Sequence, residues 1–391
     1  PERGTGEGVG SEGAGGKPGA SKKAAGASEA ETTPGGASTA IPPTERPPIT
    51  NVWLIDLSGG SLGQATSKPV LDPYLARDLL PQGTLLSSYT LPARAELAND
   101  IALLSGQGPN AASEADCPVY SEVIPPTLTG ASGLASGTGC VYPHAVQTLA
   151  DELTAASETW RAYVQGLGAS NCPHPTIGAS DPTHAPVPGT GYLGFRNPFV
   201  YFHSLLDGGA CASGDVDLGA LAGDLAQPAQ TPNLSWIVPS ACADGSSVPC
   251  APGAGAGLAA ADGFLHAQLP AILATAAYRR HGLVVITFDS GASGKAGSPG
   301  KSPATASRSR VGALLLSPFV RSGARVSSAY DEYSLLKSLE RIFGVPLLGH
   351  AADPRVQEFD ARVFRPTKRA AHTASHGRPA APDPGARRSL G

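Results

Sequence analysis

The 391-residue chain contains no methionine and is poor in charge and aromatic rings, with 15% charged and 6% aromatic residues. The formal net charge is -4. It shows neither the basic excess of a nucleic-acid binder nor an acidic tail, so no nucleic-acid partner is expected. No apolar run approaches the roughly 20 residues of a membrane span. No internal repeat is visible. The six cysteines form no C-x-x-C pair and no Cys/His cluster with zinc-ligand spacing. Cys117, Cys140, Cys172, Cys211, Cys242 and Cys250 lie instead in loop-like sequence. An even number placed this way reads as disulfides of a secreted or cell-envelope protein, against the alternative of six buried thiols. Sequential pairing, one bridge in each of three separate loops, is the expected connectivity: Cys117–Cys140, Cys172–Cys211 and Cys242–Cys250.

What the chain does have is a pair of apolar strands that end in an acid. Gly282-Leu-Val-Val-Ile-Thr-Phe-Asp289 is apolar and β-branched throughout, as suits a strand buried on both faces of a parallel sheet. Asn51-Val-Trp-Leu-Ile-Asp56 repeats the design. Ligands in open α/β sheets sit beyond the carboxyl ends of the strands, so Asp56 and Asp289 stand where metal ligands or catalytic carboxylates are expected. A strand-terminal Asp also suits turns and N-caps, and for one such residue the two readings are evenly matched. Two of them favour a site.

Residues 1–48 are built from Gly, Ala, Ser, Pro, Thr, Lys and Glu and cannot bury enough surface to offset their ordering entropy. They are expected to be a disordered tether behind a removed export signal, with 366–391 a similar tail and 49–365 the folded domain. Within that domain helices are expected over 74–80, 93–104, 145–156, 259–274 (interrupted at Pro270) and 333–343. Strands are expected over 84–89, 159–164, 235–239 and 311–317. Residues 117–140 and 172–196 read as loops. Strands alternating with helices make an α/β fold: a mostly parallel central sheet with helices on both faces.

The chain from Asn51 to about Phe364 resembles the bacterial phosphoesterase family of secreted acid phosphatases and phospholipases C, within the alkaline-phosphatase-like superfamily. The resemblance is carried by Ser105-Gly-Gln-Gly-Pro-Asn110, Asp116-Cys-Pro-Val-Tyr120, Gly139-Cys-Val-Tyr-Pro143, Asn197-Pro-Phe-Val-Tyr-Phe-His203, Thr231-Pro-Asn-Leu-Ser-Trp-Ile-Val-Pro239, the Asp289 strand, and Arg310 to Phe319 followed by Tyr330 to Leu336. It implies an alkaline-phosphatase-like fold and phosphoester hydrolysis at a divalent-metal site. The departures fall on that site. Where the family's first strand typically ends Met-Glu-Asn, this chain has Ile55-Asp56-Leu57, and leucine cannot ligate. The family's His-Pro-Ser-Leu-Pro-Asn becomes Arg94-Ala-Glu-Leu-Ala-Asn99, without hydroxyl or histidine. His-Asn-Pro becomes Arg196-Asn197-Pro198. Cys-x-Asp-Gly-His-Asp becomes Cys242-Ala-Asp-Gly-Ser-Ser247. Thr-Phe-Asp-Glu ends in Ser290, and Asn-His-Tyr becomes Asp331-Glu332-Tyr333.

Phosphoryl transfer needs an activated nucleophile and cations. Asp56 and Asp289 alone under-supply a metal, with Asp244 and Glu332 the candidates to join them. Arg94 and Arg196 are candidates to hold a phosphate ester or other anion directly, although an arginine in such a loop is more often solvated or ion-paired, and Glu96 is a local partner for Arg94. No catalytic nucleophile is identified; Thr90 and Ser58 are candidates. His203 reads as structural, and His144, His174 and His184 are assigned no role. Three functions follow as expectations: a catalytically silent family member that binds an anion, a phosphoesterase with a rearranged site, and a non-catalytic envelope scaffold.

Overall fold

The two acid-ended strands lie side by side at the centre of one sheet. The computed structural model describes residues 46–246, 255–291 and 309–365. Its strands in chain order are β1 (Asn51–Leu57), β2 (Thr84–Leu86), β3 (Tyr89–Thr90), β4 (Ile124–Thr129), β5 (Leu134–Thr138), β6 (Trp160–Val164), β7 (Asp215–Asp217), β8 (Leu234–Val238), β9 (Gly282–Phe288), β10 (Ala313–Leu316), β11 (Ala324–Val326) and β12 (Tyr330–Asp331). The helices are α1 (Leu62–Ser67), α2 (Glu96–Ser105), α3 (Leu149–Ala155), α4 (His203–Leu206), α5 (Ala210–Gly214), α6 (Leu221–Ala226), α7 (Leu258–Ala274), α8 (Ala276–His281) and α9 (Glu332–Phe343). Eight strands form the sheet in the order β11-β2-β10-β9-β1-β8-β6-β7. β10 runs antiparallel to both of its neighbours, and every other pairing in that sheet is parallel.

Alternate side chains of a strand point to opposite faces. Val52–Leu57 and all of β9 are buried, so both faces of the sheet centre are covered. Helices α2, α3 and α9 pack on one another, and α6, α7 and α8 form a second group. Trp53, Trp236 and Phe288 are among the largest fully buried side chains of the core. The register pairs Asp56 with Thr287 and Leu57 with Phe288, which brings Asp56 and Asp289 to the same carboxyl edge. Beyond that edge α2 starts at Glu96 and is buried from Leu97 to Ser105. Gly106 ends it in the left-handed region at φ 70°, where a Cβ would meet the Leu348 carbonyl oxygen at 2.5 Å.

Four sequence expectations need correction. Residues 117–140 are not loop throughout, because β4 and β5 pair as a hairpin. Its exposed strand carries Pro125 and Pro126, which remove donors and hid it from a strand reading. The expected strand over 84–89 divides into β2 and β3, which belong to different sheets. The 74–80 segment is a short π-helical turn, Leu75–Leu79, rather than an α-helix. Helix α7 runs on to Ala274 through Pro270, without the expected interruption.

Disulfides Cys117–Cys140 and Cys172–Cys211 are formed as expected. Cys242 is also disulfide-bonded, but Cys250 lies outside the described residues. So do residues 1–45 and 366–391 of the expected tether and tail. Arg46 pairs with Glu358 at 3.4 Å, and Ile49 is buried. No described helix is long and apolar enough to cross a membrane.

Candidate acidic centre at the carboxyl edge

Five loops and helices converge on the edge that β1 and β9 create. β1 delivers Asp56, β9 delivers Asp289, and the turn after β8 delivers Asp244. The second turn of α2 delivers Asp100, and the first turn of α9 delivers Glu332. All five carboxyls are at most 2% exposed. Oxygens of Asp56, Asp100 and Asp289 lie within 4.8 Å of one another. The Oδ1 atom of each of these three is buried without a hydrogen-bond partner.

Into this group reaches Arg196, itself 2% exposed. It comes from the short 3₁₀ turn Gly194–Arg196 at the end of the long 172–196 loop. Its Nε donates to Asp289 Oδ2 at 2.9 Å. Nη1 donates to Asp244 Oδ2 at 3.0 Å and to the Pro239 carbonyl at 3.2 Å. Nη2 donates to the Asp56 carbonyl at 2.9 Å and also lies 2.9 Å from Asp289 Oδ2. Glu96 Oε2 adds a longer contact at 3.4 Å. A guanidinium has five N–H groups; four of them make these hydrogen bonds, and Nη2 adds the ion-pair contact to Asp289. Arg196 is thus a buried ion-paired residue, which is the ion-paired alternative of the sequence reading rather than the solvated one. The Glu96 expectation is corrected. Glu96 pairs with Arg196 and accepts from Ser290 Oγ at 3.0 Å, whereas Arg94 is exposed. Arg94 is therefore not brought to the centre.

Electrostatics divide the acids. Burial and the facing charges of Asp56 and Asp289 push Asp100 well above the usual carboxylate range, so it keeps its proton and can donate it toward Asp56. Burial pushes Glu332 well up, with Asp56 adding to the effect, while the Tyr89 hydroxyl donates to its Oε2 at 2.7 Å. Burial raises Asp56 and Asp289 as well, and Arg196 pulls both back. Asp244 anchors its own loop by accepting from the Ser246 backbone at 2.7 Å. Gly59, at φ 64°, lets the 57–61 turn close on that loop, since a Cβ there would meet Ser246 Cα at 2.7 Å.

Of the four acids expected to share a metal, Asp56 and Asp289 fall in the close carboxylate group, whereas Asp244 and Glu332 are not part of it. Asp244 is committed to Arg196 and Glu332 to Tyr89, and Leu57 is buried core. The donor set that fits one hard divalent cation is Asp56, Asp100 and Asp289, whose unpartnered carboxylate oxygens are the ligand type such ions take. Asp100 was not legible as a site residue because Glu96-Leu-Ala-Asn-Asp100 reads as an ordinary helix. The available signal was the i, i+4 spacing of Glu96 and Asp100, which puts both on one face.

Of the candidate nucleophiles, Ser58 is fully buried, and its Oγ lies 2.8 Å from Ser290 Oγ. Ser290 links onward to Glu96, giving a chain of two hydroxyls and a carboxylate. Thr90 makes only a 3.5 Å contact with the Tyr330 carbonyl. His203 sits between Asp207 at 2.9 Å and Glu122 at 3.0 Å, and the Asp207 bond raises its pKa, as fits a structural histidine.

The family model described as Phosphoesterase family matches residues 81–346, well over half of the chain. The chain belongs to the phosphoesterase family. A search of curated proteins found no match. Among solved structures, this chain is similar to a Vibrio parahaemolyticus protein of the alkaline phosphatase superfamily, at 10% identity and TM-score 0.48 over 81% of this chain and 72% of that one. It is similar also to the phosphonate monoester hydrolase of Agrobacterium radiobacter, at 13% identity and TM-score 0.44, with 80% and 79% covered. A sulfatase from Pseudoalteromonas sp. follows at 12% identity and TM-score 0.42, with 76% and 68% covered.

Proposed function

We propose that this phosphoesterase-family chain is an acid phosphatase- or phospholipase C-like protein whose cation site is filled from within by Arg196, leaving phosphoester turnover impaired or silent. The observation that carries the reading is the set of four hydrogen bonds by which Arg196 engages Asp289, Asp244 and the backbone of β1 and the β8 loop. A fixed guanidinium can neutralise carboxylates, but it has no exchangeable position for water or a phosphoryl oxygen. Removing members of a catalytic unit is non-additive, so binding and general electrostatics are what remains. Arg94, exposed at the start of α2, is the residue left to meet a phosphate ester or other anion. A purely scaffolding role in the cell envelope is the alternative if no anion binds. The two disulfides fit a secreted or envelope location. Residues 1–48 act as a tether and 366–391 as a tail, so limited proteolysis should leave a core starting near Ile49.

One observation favours a second reading, an active metal-dependent hydrolase with a rearranged site. The unpartnered oxygens of Asp56, Asp100 and Asp289 could take a divalent ion in place of the Asp100 proton. When bound, such an ion supplies Lewis-acid stabilisation of phosphoryl charge. The deciding experiment is turnover of an aryl phosphate with and without magnesium, calcium or zinc, in the wild type and in Asp289→Ala. Metal-dependent turnover abolished by Asp289→Ala moves the conclusion to the second reading. Calorimetry should show no proton release on metal addition under the first reading, and release under the second.

A further inference from the structure

Away from the acidic centre, the long 172–196 loop folds over a recess of about 180 Å³. The loop is pinned by the Cys172–Cys211 disulfide at its start and by the bridge between Val119 and Ser180. Pro173, Pro175 and Pro182 form part of its wall, and proline carries no N–H to offer a guest. The rings of His174, Tyr192 and Tyr201 form another part, with His174 stacked on Tyr120 at 5.4 Å. The wall also includes Asp181, which is only 8% exposed.

Asp181 is half satisfied. Its Oδ1 accepts from the Thr183 backbone at 2.8 Å and from the Thr183 hydroxyl at 2.7 Å. Its Oδ2 is buried and receives no hydrogen bond, and the Tyr192 hydroxyl is likewise buried without a partner. No Arg or Lys forms a salt bridge with Asp181 among the described residues, whereas Asp289 has Arg196. That charge reaches the recess: Tyr201 is pushed well up by burial first and by Asp181 next. A buried carboxylate oxygen left without a donor is costly, and such an atom calls for a partner.

We propose that this recess binds a small organic cation bearing N–H groups, a primary ammonium or guanidinium on a ring-sized apolar body. The cation supplies the donor that Asp181 Oδ2 lacks and the charge that neutralises it. The ring faces of Tyr192, Tyr201 and His174 suit both a cation and an apolar body. The volume is adequate, since a cavity of about 150 Å³ accommodates benzene. The requirement for N–H separates this guest from a quaternary ammonium, which could meet the charge but not the missing hydrogen bond. Nothing in the inference depends on the state of the acidic centre.

The test is titration calorimetry on the full chain at low salt with benzylammonium, benzyltrimethylammonium and benzyl alcohol. Benzylammonium should bind saturably, and the other two about tenfold or more weakly. Asp181→Asn should weaken benzylammonium about tenfold, benzyltrimethylammonium by less and benzyl alcohol hardly at all, and Tyr192→Phe should weaken benzylammonium about threefold. Circular dichroism of each variant checks its folding. Equal binding of benzylammonium and benzyl alcohol overturns the proposal, as does tighter binding of the quaternary ion or no saturable binding of any probe. A folded Asp181→Asn with unchanged affinity overturns it as well. The comparison of the three probes on the wild-type chain keeps the test decisive if Asp181→Asn does not fold.

Discussion

Two populations of buried acid stand apart in this molecule. At the carboxyl edge, Asp244 and Asp289 share the hydrogen bonds and the charge of one guanidinium. Elsewhere, Glu340, Asp215 and Asp72 are buried with no arginine or lysine paired to them in any described salt bridge. These acids solve the same problem with protons. Burial raises Glu340 to about 8, Asp215 to about 7 and Asp72 to about 6. Asp100 belongs to both populations, because it sits in the arginine's cluster and still keeps its proton. A buried carboxyl therefore needs a cation or a proton, and the choice decides how it responds to pH and to mutation.

The largest expected effect comes from removing the guanidinium. Arg196→Met leaves Asp289 and Asp244 buried without their partner and should cost about 3–5 kcal/mol near neutral pH. The loss should shrink as pH falls toward 5, because protons can replace the missing charge. Urea unfolding of both proteins at pH 5 and pH 8 measures it. A loss of the same size at both pH values would show that Arg196 contributes packing rather than neutralisation.

Glu340 probes the other population. Its Oε1 accepts from the Leu348 backbone at 2.8 Å, and its Oε2 has no partner. Its folded pKa of about 8 lies above the ordinary 4.5, so the folded state holds a proton that the unfolded chain releases. The stability due to that proton is fully present below pH about 4.5 and is lost as pH rises through 8. Asp215 adds to the same slope with its rise to about 7. Thermal stability of the wild type should therefore fall between pH 5 and pH 9. Glu340→Gln, which mimics the protonated form, should flatten that slope and stabilise the protein at pH 9 by a few kcal/mol. An unaltered slope in this variant would remove Glu340 from the account.

The centre of the fold was legible because its signal is local. Six consecutive apolar or β-branched residues before Asp289 have few readings other than a buried strand, and the same holds for Val52–Ile55. The edge that carries Asp56 and Asp289 followed from the parallel pairing. Arg196 was legible as a departure at a site position but not in its role, since its acceptors lie 43 to 140 residues away in sequence and on different elements. Asp100 was invisible because its partners are contributed by strands, while its own neighbours look like ordinary helix. The β4–β5 hairpin was missed because its residues are exposed and carry no alternation of apolar and polar faces.

Asp72 gives a smaller version of the Glu340 experiment. Both of its carboxylate oxygens are buried without partners, and burial with the nearby charge of Asp262 raises it to about 6. The sign is the same as for Glu340: its contribution is present below pH about 4 and lost as pH rises through 6. Asp72→Asn should stabilise the protein by about 1–2 kcal/mol at pH 8 and leave it unchanged at pH 4. Equal effects at both pH values would assign the change to packing instead.

The smallest effect is expected at Arg94, which separates positive charge as such from neutralisation of buried acid. Arg94 and Arg196 are both arginines near the acidic centre in sequence pattern, yet Arg94 is exposed and has no ion-pair partner among the described residues. Its backbone N–H, which alanine retains, donates to Glu114 at 3.3 Å. Arg94→Ala removes one solvated charge that no buried carboxylate depends on. Exposed substitutions of this kind stay within about 0.5 kcal/mol, so its unfolding midpoint should match the wild type at both pH 5 and pH 8. Its anion response is a separate readout. If Arg94 is the remaining contact for a phosphate ester, inorganic phosphate should raise the wild-type melting temperature more than that of Arg94→Ala. A loss above 2 kcal/mol in Arg94→Ala would mean that it helps neutralise the acidic centre, and the division between the two arginines would fail.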